Sequence, residues 1–287
     1  MDVRGRGTML VMLLLMQAVA TGAPRAQAAG LTEPLTLPAL LSTAGPILES
    51  RSSAHFILYS EFRGERNAEL LDSLEGARSH AMKLLGATEA RPIRAPVIVT
   101  ASRTRLSPLL RTSAKGLRGT LADGSPFILL RVTDDVRPYT RHEVMHDVAF
   151  TVWGPTHSGG SWLSEGLATF ADGACQGVPN VVVARDVLNE RPDLTLMDLS
   201  KDFWTMTADH RHAMYVLAAS VVEFLWRRDG RDVVRRLWQT GAWPSPDGDS
   251  VASPTADLSS EWRAYVRRAA GAREGLTKEQ LGRDGCG

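Results

Sequence analysis

His142 and His146 bracket Glu143 in the run His-Glu-Val-Met-His. A further acid, Glu165, follows in Trp162-Leu163-Ser164-Glu165-Gly166-Leu167-Ala168. On a helix, residues four apart share a face with Cβ atoms about 5–6 Å apart. Two imidazole nitrogens at that spacing can meet one ion at about 2.0–2.1 Å each. Glu143 is turned by about 100° from His142 around the same axis, so its carboxylate can flank the ion without ligating it. A general base for a metal-activated water belongs in that position. With Glu165 as third ligand, the set has one open corner, as in catalytic zinc sites; structural sites fill all four corners from the protein. The pattern therefore predicts hydrolytic chemistry on Zn2+, with His142, His146 and Glu165 as metal ligands and Glu143 as base.

These two segments resemble the gluzincin group of zinc metallopeptidases (peptidase MA-like), in which a helix bearing His-Glu-x-x-His precedes a second helix bearing a ligand Glu. Trp162 to Ala168 is similar to the Trp-x-x-Glu-Gly-x-Ala pattern around that third ligand. The specific match covers residues 142–168, and the order of elements is loosely similar across about residues 53–270. The resemblance implies an active site in a cleft between two lobes and a protein or peptide substrate. It implies that the strand before the motif helix, about 127–132, can pair with an extended peptide edge to edge; an ordinary interior strand is the other reading of that segment. It also implies an oxyanion donor at Tyr215, because a Tyr-x-x-Ala segment starts the helix that lines the cleft in similar proteins. His212, three residues earlier, would lie on the same face.

The sequence departs from the group's commonest pattern in three respects. Arg141 and Asp147 flank the motif where uncharged residues are usual. Some members place an Asp four residues after the ligand Glu to orient a ligand His; Thr169 stands there, and Asp172 is the next acid. Thr169, Asp147 and Asp172 are all candidates to fix a histidine tautomer. No Gly-Ala-Met-Glu-Asn-like segment stands upstream, so an endopeptidase is expected rather than an aminopeptidase. Two other readings stay open: a zinc amidase acting on a non-peptide or cell-wall substrate, and a catalytically silent zinc-containing binding or assembly protein. The intact Glu143 speaks against the latter, since a binding module has no use for a base.

These residues need elements to position them. His55–Tyr59, Pro96–Thr100 and Phe127–Val132 are short apolar runs suited to strands. Residues 65–85 carry Leu70, Leu71, Leu74, Ala77, Ala81 and Leu84 at helical spacing. From about 138 onward the pattern turns helical: a motif helix near 138–151, a ligand helix near 161–173, then helices near 211–228, 230–239 and 259–270. Gly154, Pro155, Gly159 and Gly160 break the chain between the first two. A small sheet with a helix followed by a helical lobe is an α+β arrangement. The expected division is a linker at 30–52, an N-terminal α/β lobe at 53–136 and a helical lobe at 137–287.

Residues 1–29 read as a signal peptide. Arg4 and Arg6 precede an apolar run, Met9–Ala20, broken only by Gln17, and Ala26-Gln27-Ala28 offers a small-x-small cleavage site. The run is short of the roughly 20 apolar residues that span a bilayer. A secreted or periplasmic protein with no stable membrane insertion after cleavage is expected. With Lys and Arg at 33 against Asp and Glu at 32, no field steers the chain toward nucleic acid. Arg227, Arg228, Arg231, Arg235 and Arg236 read as a solvated helix face. His157 and His210 read as surface histidines, and His55 and His80 as structural ones. Cys175 and Cys286 are consistent with one disulfide in an oxidising compartment. Composition does not set the oligomeric state.

Overall fold

A computed structural model describes residues 35–88, 94–101, 116–132, 139–245, 247 and 249–277, the side chains of 206–212 excepted. The expected signal peptide, Cys286 and the side chains of His210 and His212 lie outside the described residues. Within them the protein is an α+β fold. The sheet takes the order β1-β2-β3-β5-β4. Its strands are β1 (Glu49–Ser52), β2 (Phe56–Ser60), β3 (Ala95–Thr100), β4 (Gly116–Thr120) and β5 (Pro126–Arg131). β2, β3 and β5 run parallel, and β1 and β4 close the two edges antiparallel.

Alternation along the strands explains how the sheet is covered. Val97, Val99, Ile128 and Leu130 point to one face and join the core beneath α2 (Glu65–Leu85) and α3 (Thr140–Trp153). Ile98, Phe127 and Leu129 point to the other face and pack against Leu40 and Ala44 of α1 (Leu37–Ala44). A strand buried on both faces reads as a continuous apolar run, and every residue of β3 is buried.

Residues 30–52, expected as a linker, thus contain α1 and β1. The short α1 is started by Thr36, whose side chain accepts from the Ala39 N–H, and by a proline in its first turn. Its leucines complete the sheet's second face, a contact no local pattern announces. The expectation for 127–132 also needs correction. β5 is hydrogen-bonded to β3 on one side and to β4 on the other, so it has no edge to offer a peptide. The edge strand beside the motif helix is β4, whose Gly116-Leu117-Arg118-Gly119-Thr120 carries no apolar run.

The remaining described elements are mainly helical: α4 (Ser161–Asp172), α5 (Asn180–Glu190), α6 (Leu196–Asp229), α7 (Arg231–Thr240) and α8 (Ala256–Ala270), with small hairpins between. The stripe Ala218, Val221, Val222 and Leu225 on α6 is fully buried, each aliphatic side chain contributing about 1.5–3 kcal/mol for the larger residues. α6 starts well before the expected 211 but does not run on one straight axis. At 1.5 Å per residue, Phe203 and Tyr215 would stand about 18 Å apart along a straight helix, yet their ring centroids are 5.7 Å apart. The element bends back on itself between them and returns its first turns toward Tyr215.

One core runs without a break from Phe56 in the sheet to Val266 in α8. α3 is the shared wall: it packs on α2 and the sheet on one side and on α4 on the other. At its C-terminal end the rings of Trp153, Trp226 and Trp238 meet, Trp153 lying 6.4 Å from Trp226 and 5.8 Å from Trp238. Cys175 is disulfide-bonded and sits in a small buried cluster with Val183 and Val216, against which Leu276 packs. Among the described residues, no helix is long and apolar enough to cross a membrane.

Candidate metal centre

α3 and α4 meet with the motif residues at their contact. A hydrogen bond at 2.9 Å between Thr140 Oγ1 and Ser73 Oγ ties the first turn of α3 to α2. α4 is held against α6 by the absence of a side chain at Gly166: a Cβ there would lie 2.8 Å from the backbone of Ala218. Gly166 therefore lets the helix bearing Glu165 seat fully.

The result is a closed triangle of donor atoms. His142 Nε2 is 3.1 Å from Glu165 Oε2, His146 Nε2 is 3.2 Å from His142 Nε2, and His146 Nε2 is 3.4 Å from Glu165 Oε2. Three atoms bound tetrahedrally to one ion at about 2.0–2.2 Å stand roughly 3.3–3.5 Å apart, so the triangle fits a single small divalent cation. Among the described residues, these three form the group of His, Cys, Asp or Glu able to hold a metal ion. His142 is only 3% exposed, which a pair of unrelated surface histidines would not be.

Electrostatics favour a cation at the centre. Burial pushes the Glu165 carboxyl up, but the His146 charge and hydrogen bonds from both histidines outweigh it and hold that carboxyl far below its ordinary range. Burial likewise opposes charging His142, yet Asp172 and Glu165 together raise its pKa well above 6.5. The His142 ring is thus held toward its charged form, and a metal bound there would take the place of that proton.

The outer supports are now assignable. Asp172 Oδ2 faces His142 Nδ1 at 3.5 Å, an ion-pair distance longer than a full hydrogen bond. Asp172 lies seven residues after Glu165, on the same face of α4 by two helical turns. Ser164 Oγ is 3.0 Å from His146 Nδ1. Neither Thr169 nor Asp147 takes such a role. The Thr169 hydroxyl is buried with no hydrogen-bond partner, and Asp147 pairs with Arg118 of β4, 3.5 Å away. Ser164 is not among the residues that sequence reasoning nominates. Its adjacency to Glu165 gave no signal by itself, since neighbouring helix positions diverge by about 100°.

Glu143 is 5% exposed and is not part of the triangle. Its side chain fills the space over Gly116, where a Cβ would meet Glu143 Oε1 at 2.4 Å. Burial raises the Glu143 carboxyl above its ordinary value, with the charges of His142 and His146 pulling the other way. Tyr215 is half-buried, its ring centroid 6.2 Å from that of His142. His55 is held by Glu75 through Nδ1 at 2.7 Å and through its backbone N–H at 2.9 Å. His157 is wedged between loops rather than freely exposed: its backbone N–H donates to Trp238 O, and its ring packs on Gly241. Of the basic cluster, Arg228 pairs with Asp229 and Glu261, and Arg227 with Glu223.

Compared with known proteins, the chain matches no family model and no curated sequence.

Proposed function

We propose that this chain is an exported zinc metallopeptidase that hydrolyses peptide bonds, working as gluzincins do. The observation that carries this reading is the triangle of His142, His146 and Glu165 with a buried, unligating carboxylate, Glu143, beside it. Two imidazoles and one carboxylate are a donor set that suits zinc. When bound, zinc supplies a Lewis acid that acidifies water and polarises a carbonyl.

The chain's own residues supply the remainder. Glu143 accepts the proton of the attacking water at its carboxylate and hands it to the leaving amine. Its raised pKa suits that exchange, since a base works best near the operating pH. Asp172 and Ser164 hold the two rings so that each presents Nε2 to the centre. Tyr215, beside His142, is the oxyanion donor in this reading. β4 replaces β5 as the strand for an extended substrate. Gly116 begins that strand against Glu143, so a backbone paired along its outer edge passes close to the base.

The test is cleavage of a peptide library by the mature protein, with and without a chelator, alongside the Glu143→Gln variant. Expected are chelator-sensitive cleavage and a loss of about 10²–10⁴-fold in kcat in the variant, with metal content unchanged. Cleavage that survives the variant removes the base assignment. A zinc-loaded protein that cleaves no peptide in the library turns the reading toward a silent binding protein or an amidase.

A further inference from the structure

Along β4, Gly116, Arg118 and Thr120 are paired with Leu130, Ile128 and Pro126 of β5. Directly opposed residues point to the same face of a sheet, and Ile128 and Leu130 face α2 and α3. Gly116 and Arg118 therefore face α3 as well, where they meet Glu143 and Asp147. On α3, Phe150 follows His146 by four residues and shares its side of the helix. Its ring is 37% exposed, and the Arg118 guanidinium lies over it at 4.1 Å. Beside it a cavity of about 390 Å³ opens among α2, α3 and β4, its apolar part made by Phe56, Met82, Val148, Phe150 and Val152.

Two independent rulers put this cavity at one distance from the metal centre. Arg118 is two strand residues, about 7 Å, along β4 from Gly116. Phe150 is four helix residues, about 6 Å, along α3 from His146. The charged groups on the lining are engaged with partners. Arg118 pairs with Asp147 at 3.5 Å and donates to Thr120 Oγ1 at 3.0 Å, Arg78 acts on the same Asp147 carboxylate, and His55 is held by Glu75. A charged ligand would have to displace these pairs. An apolar group leaves them in place and covers the Phe150 ring.

We propose that this cavity selects a large apolar side chain of an extended peptide, two residues before the one whose carbonyl is attacked. The inference rests on the peptidase reading and gives it a substrate class. A strand paired antiparallel on the outer edge of β4 runs against it. The residue opposite Arg118 therefore precedes the residue opposite Gly116 by two, and its side chain points to the α3 face, over Phe150 and into the cavity. The residue between them points to the other face and is not selected by it.

The test is calorimetric binding of acetyl-Xaa-Ala-Gly-hydroxamates to the zinc-loaded protein, with Phe, Leu, Ser or Glu as Xaa. The hydroxamate takes the open corner of the metal and so fixes the register without turnover. The Phe and Leu members should bind about tenfold or more tighter than the Ser member, and moving Phe one residue closer to the hydroxamate should abolish the gain. Phe150→Ser removes the ring and Thr151→Trp fills the mouth of the cavity. Each should erase the gain while the affinity of the Ser member, zinc content and thermal melting stay at parent values; two variants keep the test decisive if one unfolds. Equal affinity across the series, a Glu member that binds tightest, or a preference that survives both variants would overturn the subsite. Cleavage of a peptide library with no apolar preference at that position would sink the subsite alone. Hydroxamate selectivity without any cleavage would sink the peptidase reading alone, and zinc-loaded protein that binds no hydroxamate would sink both.

Discussion

α3 presents two faces that solve opposite electrostatic problems. On the face toward α4, His142 and His146 meet Glu165, a carboxylate held ionised, and the set is arranged around the place of one cation. On the face toward α2 and β4, one residue past His146 and about 100° further round the helix, Asp147 meets Arg118 in a largely buried ion pair. The first face has its donor atoms converging to within bonding reach of a common point. The second has charges that fall just short of one another. A single helix can carry both because its side chains diverge by residue, so neighbours in sequence serve different chemistry.

The sharpest way to break this comparison is to remove one charge from each face. Glu165→Ala should empty the metal centre, read as loss of zinc by elemental analysis after dialysis. Arg118→Met should keep full zinc occupancy yet destabilise the fold by about 1–3 kcal/mol, seen in denaturant unfolding, because Asp147 loses its buried partner. If Arg118→Met released the metal as well, the two faces would be one coupled site.

Within the metal face, Tyr215→Phe separates chemistry from assembly. If its hydroxyl steadies the oxyanion, kcat falls by about 10²–10³-fold with metal content intact. An unaltered kcat would return Tyr215 to a packing role beside His142 and Phe203. Asp172→Ala should weaken zinc affinity by about 10–100-fold, measured by competition with a chelating dye. A smaller effect there than in Ser164→Ala would make His146, not His142, the ring whose orientation matters more.

The smallest expected effect concerns protons. His142 has its pKa raised above 6.5 in the metal-free fold, so it is charged at neutral pH, and a metal can bind only its neutral form. Binding zinc near pH 7 should release about one proton from this ring, and affinity should climb with pH until the raised pKa is passed. Calorimetry in buffers of different ionisation enthalpy measures the proton count. A count of zero would mean that His142 is already neutral.

Much of the scaffold is legible in the order of residues. The α2, α3 and α4 helices and strands β2, β3 and β5 announce themselves because each buries a face whose period shows in its own apolar positions. The donor cluster able to hold a metal ion is legible for a related reason: His142 and His146 need only helical spacing to share a face, and the Glu165 segment carries its own pattern. α1 is hidden because its leucines are buried by a sheet distant in sequence, and β4 is hidden because an edge strand with two glycines has no apolar period to display.

Sequence alone therefore determined the donor set, the helices that bear it and the α+β class, since these follow from local spacing and side-chain chemistry. Only the tertiary structure decided what depends on distant segments meeting. Asp172 and Ser164 were selected over Thr169 and Asp147 as ring supports, β4 over β5 as the edge, and Gly116 was set against Glu143. Those outcomes turn on the direction of side chains across the packed helices and sheet, which no spacing along a single chain encodes.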